Sequence, residues 1–354
     1  MLPLTISFAA LLCGLGLWSA HRWLRRRSSR PGDDVARVLE QPRTAPLAEA
    51  VQLDAVDMDK VAAANALLTE RLWRLAFAVP SDMQELQPAD IAVRERVCGV
   101  LGADRLDANL FPRRPTLMPQ LMRAMDDPRA APERLSRIVA HDPVLAADVL
   151  RLANSSRFRT SAQPIETIQR AIIVLGVDAL RCLLAMAMMQ PVFRASRSNF
   201  PRFPRMLWER TERAARAAEA YAIQVQPADR FEAQLTILLS ALGPLAVYGA
   251  TLDVYAQSPR LVPNPALCAE LTCGLAAQTA LRIAHDWESS PRLAAAIEQS
   301  WHEPLARVLC IGELLGTVSL LQTQHVLEAE EALEIVNGAD LSGELLEYVS
   351  PRAA

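Results

Sequence analysis

Residues 177–192 read VDALRCLLAMAMMQPV, and Leu180, Leu183, Leu184, Met186, Met188 and Met189 place apolar side chains around the whole circumference of a helix. A helix without a polar face has to be buried, so other elements must surround this one. The chain just upstream supplies candidates. Asp142 is suited to be a helix N-cap, and Pro143 to fill the first helical position, where a missing N–H costs nothing. Leu145, Val149 and Leu152 then share one face, and Asn154, Ser155 and Ser156 favour a turn. The spacing of Ile165, Ile168, Ile172 and Leu175 predicts a second helix over 164–175. Gly176 is placed to end it in a left-handed conformation.

Three phrases, LMPQLMRAMDDP, LSRIVAHDPVLAADVLRLANSS and PIETIQRAIIVLGVDALRCLLAM, together resemble the HDOD domain. This is a bacterial all-helical signalling module related to the HD metal-dependent phosphohydrolases. The likeness is strongest over residues 114–193, weaker over 207–249 and 271–316, and absent from the first hundred or so residues. It implies an all-α, multi-helix HD-like bundle and a role in signal transduction, often beside cyclic-dinucleotide or two-component systems.

Residues 2–20 carry no charge and are followed by Arg22, Arg25, Arg26 and Arg27, with Trp18 and Trp23 at the flank. At ~1.5 Å per residue this run falls just short of a bilayer core of ~30 Å. The positive charges follow the apolar run rather than precede it. That order favours an uncleaved, single-pass anchor over a cleaved signal peptide, with the remainder in the bacterial cytoplasm beneath the inner membrane. The expected organisation is an anchor at 1–24, a linker at 25–46 and an amphipathic helical segment at 47–108. The HDOD-like domain follows at 111–320 and a helical tail at 321–354.

Within the segment 47–108, Val51, Val61, Leu68, Leu72 and Leu75 recur at helical spacing as far as Pro80. Asp90 is expected to cap a helix ended by Gly102. Such an amphipathic pair is expected to pack on its neighbour. Further on, residues 194–204 read as a polar loop. Helices are expected over 207–221, 231–242, 266–287, 291–301, 303–321 and 326–336, with a short one at 342–349. Pro244 should end or kink the second of these. Ala214, Ala215 and Ala218 form a small-residue seam, and Gly312 and Gly316 mark a close contact or a bend.

The net charge of −3 offers no global basic field for nucleic acid. The six cysteines form no CxxC pair and read as thiols of a reducing compartment. Metal chemistry is where the chain departs from its relatives. The HD signature would place a histidine near Arg210 and Thr211, and a His-Asp pair at positions held by Ser240 and Ala241. No histidine occurs between Asp142 and Ala284. The dipeptides His141-Asp142 and His285-Asp286 are better explained by capping and by a helix C-terminus than by ligation. His302 and His325 read as isolated residues.

The expectation is therefore a membrane-anchored regulatory protein with no catalytic residues, metal or cofactor. It would act through a protein partner, with a homodimer as one arrangement. Its candidate surface is Asp142, Arg151, Asn154, Ser155, Gln163 and Gly176. The alternatives are a divergent metal-dependent phosphohydrolase acting on a nucleotide or cyclic dinucleotide, with carboxylates such as Asp142, Asp286 and Glu298, or a small-ligand sensor using the vestigial groove.

Overall fold

In a computed structural model of the chain, residues 56–80, 86–103, 135–136, 139, 142–155, 163–194, 199–224, 229–258, 260–339 and 341 are described. The expected anchor, the linker, His141, Ser156 and the helix expected at 342–349 lie outside them. All the described residues fall within one compact unit, residues 52–354. Their regular structure is entirely helical: α1 (Met58–Ala76), α2 (Pro88–Gly102), α3 (Pro143–Ala153), α4 (Ile168–Arg194), α5 (Arg202–Gln224), α6 (Arg230–Ser240), α7 (Leu242–Ala256), α8 (Pro265–Asp286), α9 (Pro291–Ile297), α10 (Pro304–Thr323) and α11 (Ala329–Gly338).

Local chemistry sets several boundaries. Asp142 caps α3 by accepting from the N–H groups of Val144 and Leu145, at 2.9 and 3.0 Å. Asp57, Asp229 and Asn264 do the same for α1, α6 and α8. Gly176 interrupts α4 at φ 84° and ψ 170°, a left-handed backbone that a Cβ would strain. Asp90 is not the N-cap of α2: the helix starts earlier, at Pro88. Asp90 is its third residue and accepts instead from the Gln87 N–H at 3.2 Å. Asp90 also accepts from the Tyr255 hydroxyl at 2.8 Å and the Asn264 amide at 2.9 Å, tying α2 to the start of α8. Burial keeps the Tyr255 phenol protonated as a donor by raising its pKa.

The stretch expected as a loop through residue 204 is already helical from Arg202. Pro204 falls in the first turn, where its missing N–H leaves no bond unmade. Phe203 is fully buried there and stacks on Phe77 of α1 at 4.5 Å. Around it gather Trp73 at 5.3 Å and Tyr248 of α7 at 4.7 Å. This aromatic knot fastens α1 into the main core, and α1 also packs on α8 and α10. A second, smaller apolar cluster joins Val93, Val97 and Leu101 of α2 to Val254, Leu267 and Leu271 of α7 and α8. The helix α7 occupies a stretch where the sequence pattern predicts none: it begins at Leu242 after a break at Ala241, and takes Pro244 into its first turn, where the missing N–H leaves no bond unmade.

Among the described residues, three stretches are long and apolar enough to cross a membrane: Ile168–Gln190, Arg230–Ala256 and Pro304–Thr323. Within the protein, 56%, 83% and 78% of their most apolar windows are already buried, so packing against one another accounts for much of their composition. The largest helix–helix interface is α5 against α10. A Cβ added at Gly316 would lie 2.5 Å from the backbone nitrogen of Ala214, and one at Gly312 would lie 2.8 Å from the Ala218 Cβ. A Gly316→Val substitution is expected to cost at least the ~1–3 kcal/mol of core overpacking. By contrast, Gly274→Ala in α8, with nothing within 4 Å, should stabilise by up to ~1 kcal/mol. Urea denaturation of the two variants measures both.

Candidate functional site

Two of the positions where the HD signature would put its ligands, Arg210 and Ser240, converge on Glu313, with different chemistry. Arg210 lies on α5, one turn before Ala214, and is only 4% exposed. Its Nε donates to Thr317 Oγ1 at 2.9 Å, and its Nη2 lies 3.5 Å from Glu313 Oε2, both partners on α10. Its guanidinium also sits over the Trp73 ring at 5.8 Å. Ser240, the last residue of α6, donates from Oγ to Glu313 Oε1 at 2.7 Å. From α1, the Asn65 amide donates to Glu313 Oε2 at 3.3 Å. Ala241 is buried and forms the C-cap of α6. Thr211 turns back on its own helix, donating to the Leu207 carbonyl.

These residues do not fit a divalent cation. A guanidinium has only donors and a fixed positive charge, so it cannot ligate a metal and repels one. Glu313 is the single carboxylate of the cluster, and three protein donors already converge on it. Among the described residues, no group of three or more His, Cys, Asp and Glu side chains is placed to hold a metal ion. Asp142 caps α3, whereas Asp286 and Glu298 are exposed at the ends of α8 and α9. His285, His302 and His325 are exposed.

Glu313 was not singled out from the sequence, although a signal for it exists. It is the only acidic residue of α10, set between Gly312 and Gly316 in an apolar helix. A carboxylate in such a helix needs a buried partner. Asn65 carries the same signal, as a polar residue on the buried stripe of Val61, Leu68 and Leu72.

The cluster forms the floor of a cleft of about 550 Å³. One wall is α1, with Asn65, Thr69 and Glu70; the opposite wall is α8, with Thr272, Cys273 and Ala276.

The six residues of the expected surface lie along the joint between α3 and α4. Asn154 donates to the carbonyls of Leu150 and Ile165, both at 2.8 Å, and accepts from the Ile165 N–H at 2.7 Å. It thereby pins the approach to α4 onto the end of α3. Arg151 is half-exposed but not idle: its Nη2 donates to Asp148 at 2.9 Å and to buried Gln190 at 2.7 Å. Ser155 donates to the Leu152 carbonyl, Gln163 is exposed before α4, and Gly176 forms its bend. Asp142, Arg151, Asn154, Ser155 and Gly176 therefore serve as cap, clasp or bend within the fold.

Glu313→Ala should strand the Arg210 charge and cost about 3–5 kcal/mol, whereas Arg210→Met with Glu313→Leu should recover most of that loss. Thermal melts of the single and double variants would show the coupling. Desolvation, with the Glu70 carboxylate nearby, pushes the Cys273 thiol up to about 11. Its alkylation by iodoacetamide should therefore be slow at pH 7 and rise roughly tenfold per pH unit up to pH 10, because only the thiolate reacts. Peptide mass mapping reads that rate at Cys273 alone.

The family model of the HDOD domain matches residues 111–304. No curated protein matches the chain. Among solved structures, an HDOD domain protein of unknown function from Geobacter sulfurreducens is 18% identical, with a TM-score of 0.48. That alignment covers 67% of this chain and 79% of the other. A protein from Shewanella amazonensis SB2B, provisionally described as a metal-dependent phosphohydrolase, is 17% identical with a TM-score of 0.49, over 73% of this chain and 94% of the other. A response regulator from Methylococcus capsulatus str. Bath is 19% identical with a TM-score of 0.32, over 67% and 96%. With more than half its length matched by the family model, and with a helical fold throughout the described residues, this chain belongs to the HDOD domain family.

Proposed function

We propose that this chain is a regulatory protein whose HDOD domain works by binding a partner rather than by hydrolysing a phosphoester. The observation that carries the reading is the buried Arg210–Glu313 pair, a protein cation with its counter-charge at a position where the family resemblance implies a metal ligand. Hydrolysis of this kind depends on a metal-bound water as nucleophile, and the cluster offers neither imidazole nor a free pair of carboxylates to hold one. The uncharged run at residues 2–20 would anchor the protein in the bacterial inner membrane and keep the domain near a membrane-localised signalling partner. A cyclic-dinucleotide or two-component pathway is the setting the family resemblance implies.

The partner surface is assigned to the α3–α4 joint. Val144 on α3 and Ile173 on α4 are 72% and 73% exposed and so are free to meet a partner. They are better probes than Arg151, whose reversal would break internal bonds. In-cell crosslinking of the full-length protein should recover a partner whose yield falls at least tenfold in the double variant Val144→Asp, Ile173→Asp, with an unchanged melting temperature. Equimolar divalent metal in the purified protein, together with metal-dependent phosphodiester hydrolysis, would overturn the proposal.

A further inference from the structure

The cleft above Arg210 and Glu313 presents donors and acceptors together. On the donor side, Trp73 is 1% and Arg210 4% exposed, and both line the cleft. Among the described residues, nothing accepts from the Trp73 indole N–H or from Arg210 Nη1. The guanidinium carbon lies 5.8 Å from the centre of the Trp73 ring, so one small molecule can reach both donors. Donors held this deep favour an acceptor that enters the cleft, because leaving them unmade is costly. On the acceptor side, Ser240 gives its proton to Glu313 at 2.7 Å, and Thr69 gives its own to Asn65 Oδ1 at 3.4 Å. Both oxygens keep lone pairs. Charge argues against an ion of either sign. Arg210 repels a cation, and three donors already engage Glu313. An anion meets two carboxylates, Glu313 on the floor and Glu70 on the wall, against one guanidinium. A neutral molecule is left, carrying donors and acceptors side by side. The volume, about 550 Å³, lies in the range of small-molecule sites, about 300–1,000 Å³. Ala62 and Ala66 on the α1 wall and Ala276 and Ala277 on the α8 wall are short, apolar and leave room for a flat ring between them.

We infer that this cleft binds a small uncharged cyclic amide, a near-planar ring carrying adjacent C=O and N–H groups. Its carbonyl groups accept from Trp73 Nε1 and Arg210 Nη1, its N–H groups donate to the oxygens of Ser240 and Thr69, and its ring lies between the alanine walls. An amide edge offers both functions at fixed spacing, with no net charge to strip of water. The inference rests on reading the groove as one without a resident metal, and it gives the regulatory domain a ligand of defined chemistry. Since α1 and α8 form the walls, that ligand bridges a helix outside the segment matched by the family model to one within it.

The test is isothermal titration of the purified full-length protein with uracil, hydantoin and cyclic diglycine, and separately with N,N′-dimethylated uracil, putrescine and inorganic phosphate. The expected result is that at least one of the three cyclic amides binds at one site per chain, while dimethylated uracil, putrescine and phosphate neither bind nor displace it. Trp73→Phe keeps a ring in the aromatic knot but removes the indole N–H, and should weaken the amide about two- to tenfold, the range of one hydrogen bond. Thr69→Val, at a half-buried position, removes an acceptor and should weaken it by a similar factor. Thermal melts check that each variant folds, and the comparison with the dimethylated ring needs no variant at all. Three outcomes overturn the inference: none of the three amides binds, binding is unchanged both by the two variants and by methylation of the ring nitrogens, or putrescine or phosphate displaces the amide. None of them bears on hydrolysis, so a failure here is distinguishable from a failure of the regulatory reading, which turns on metal content and phosphodiesterase activity.

Discussion

The close approach of α5 and α10 is the constraint on which the site depends. Two glycines on α10 meet two alanines on α5 with no room for another carbon, Gly316 against Ala214 and Gly312 against Ala218. Arg210 precedes Ala214 by one turn, while Glu313 and Thr317 each follow a seam glycine. Contact along the seam therefore carries the guanidinium to both of its α10 partners. Separating the helices by one methyl group would lengthen the bonds of the ion pair. Apolar packing and the polar floor of the cleft are thus two consequences of one helix–helix distance.

A buried ion pair is a poor source of net stability, since desolvating two charges costs about as much as their attraction returns. Its consequence here is specificity of arrangement. Arg210 and Glu313 are satisfied only when α1, α5, α6 and α10 are all in place, because Asn65, Ser240 and Thr317 complete the set. Two of those helices lie largely or wholly outside the segment matched by the family model, α1 before it and α10 after it. The residues that replace the expected metal ligands therefore take their partners from parts of the chain that the family pattern does not describe. The aromatic knot of Trp73, Phe77, Phe203 and Tyr248 holds α1 in that role, each ring pair adding about 0.5–1.5 kcal/mol beyond burial.

Much of the local structure was legible because its causes are local. The Asp142 cap with Pro143 and the left-handed Gly176 each depend on a few adjacent residues, and each stands where the pattern placed it. The errors arose where a longer-range partner changed the meaning of a residue. Asp90 looked like a cap because its other acceptor bonds, from Tyr255 and Asn264, are more than 160 positions away. The polar stretch before residue 204 looked like a loop because Phe200 and Phe203 find their aromatic partners on α1 and α7. Arg151 looked like free surface because Gln190, its buried acceptor, lies on the next helix but one of the predicted order.

By itself the sequence determined the helical class, since three-and-four periodicity, caps and a helix apolar on every side admit no other architecture. It also determined that histidine ligands are missing over residues 143–283, a matter of composition alone. It marked the alanine seam and the two glycines without joining them. Tertiary structure decided that they meet, and that Arg210 and Ser240 converge on Glu313 at the floor of a cleft. The physical reason is that a buried charge takes its meaning from its partner, and these partners are separated by as many as 248 positions along the chain.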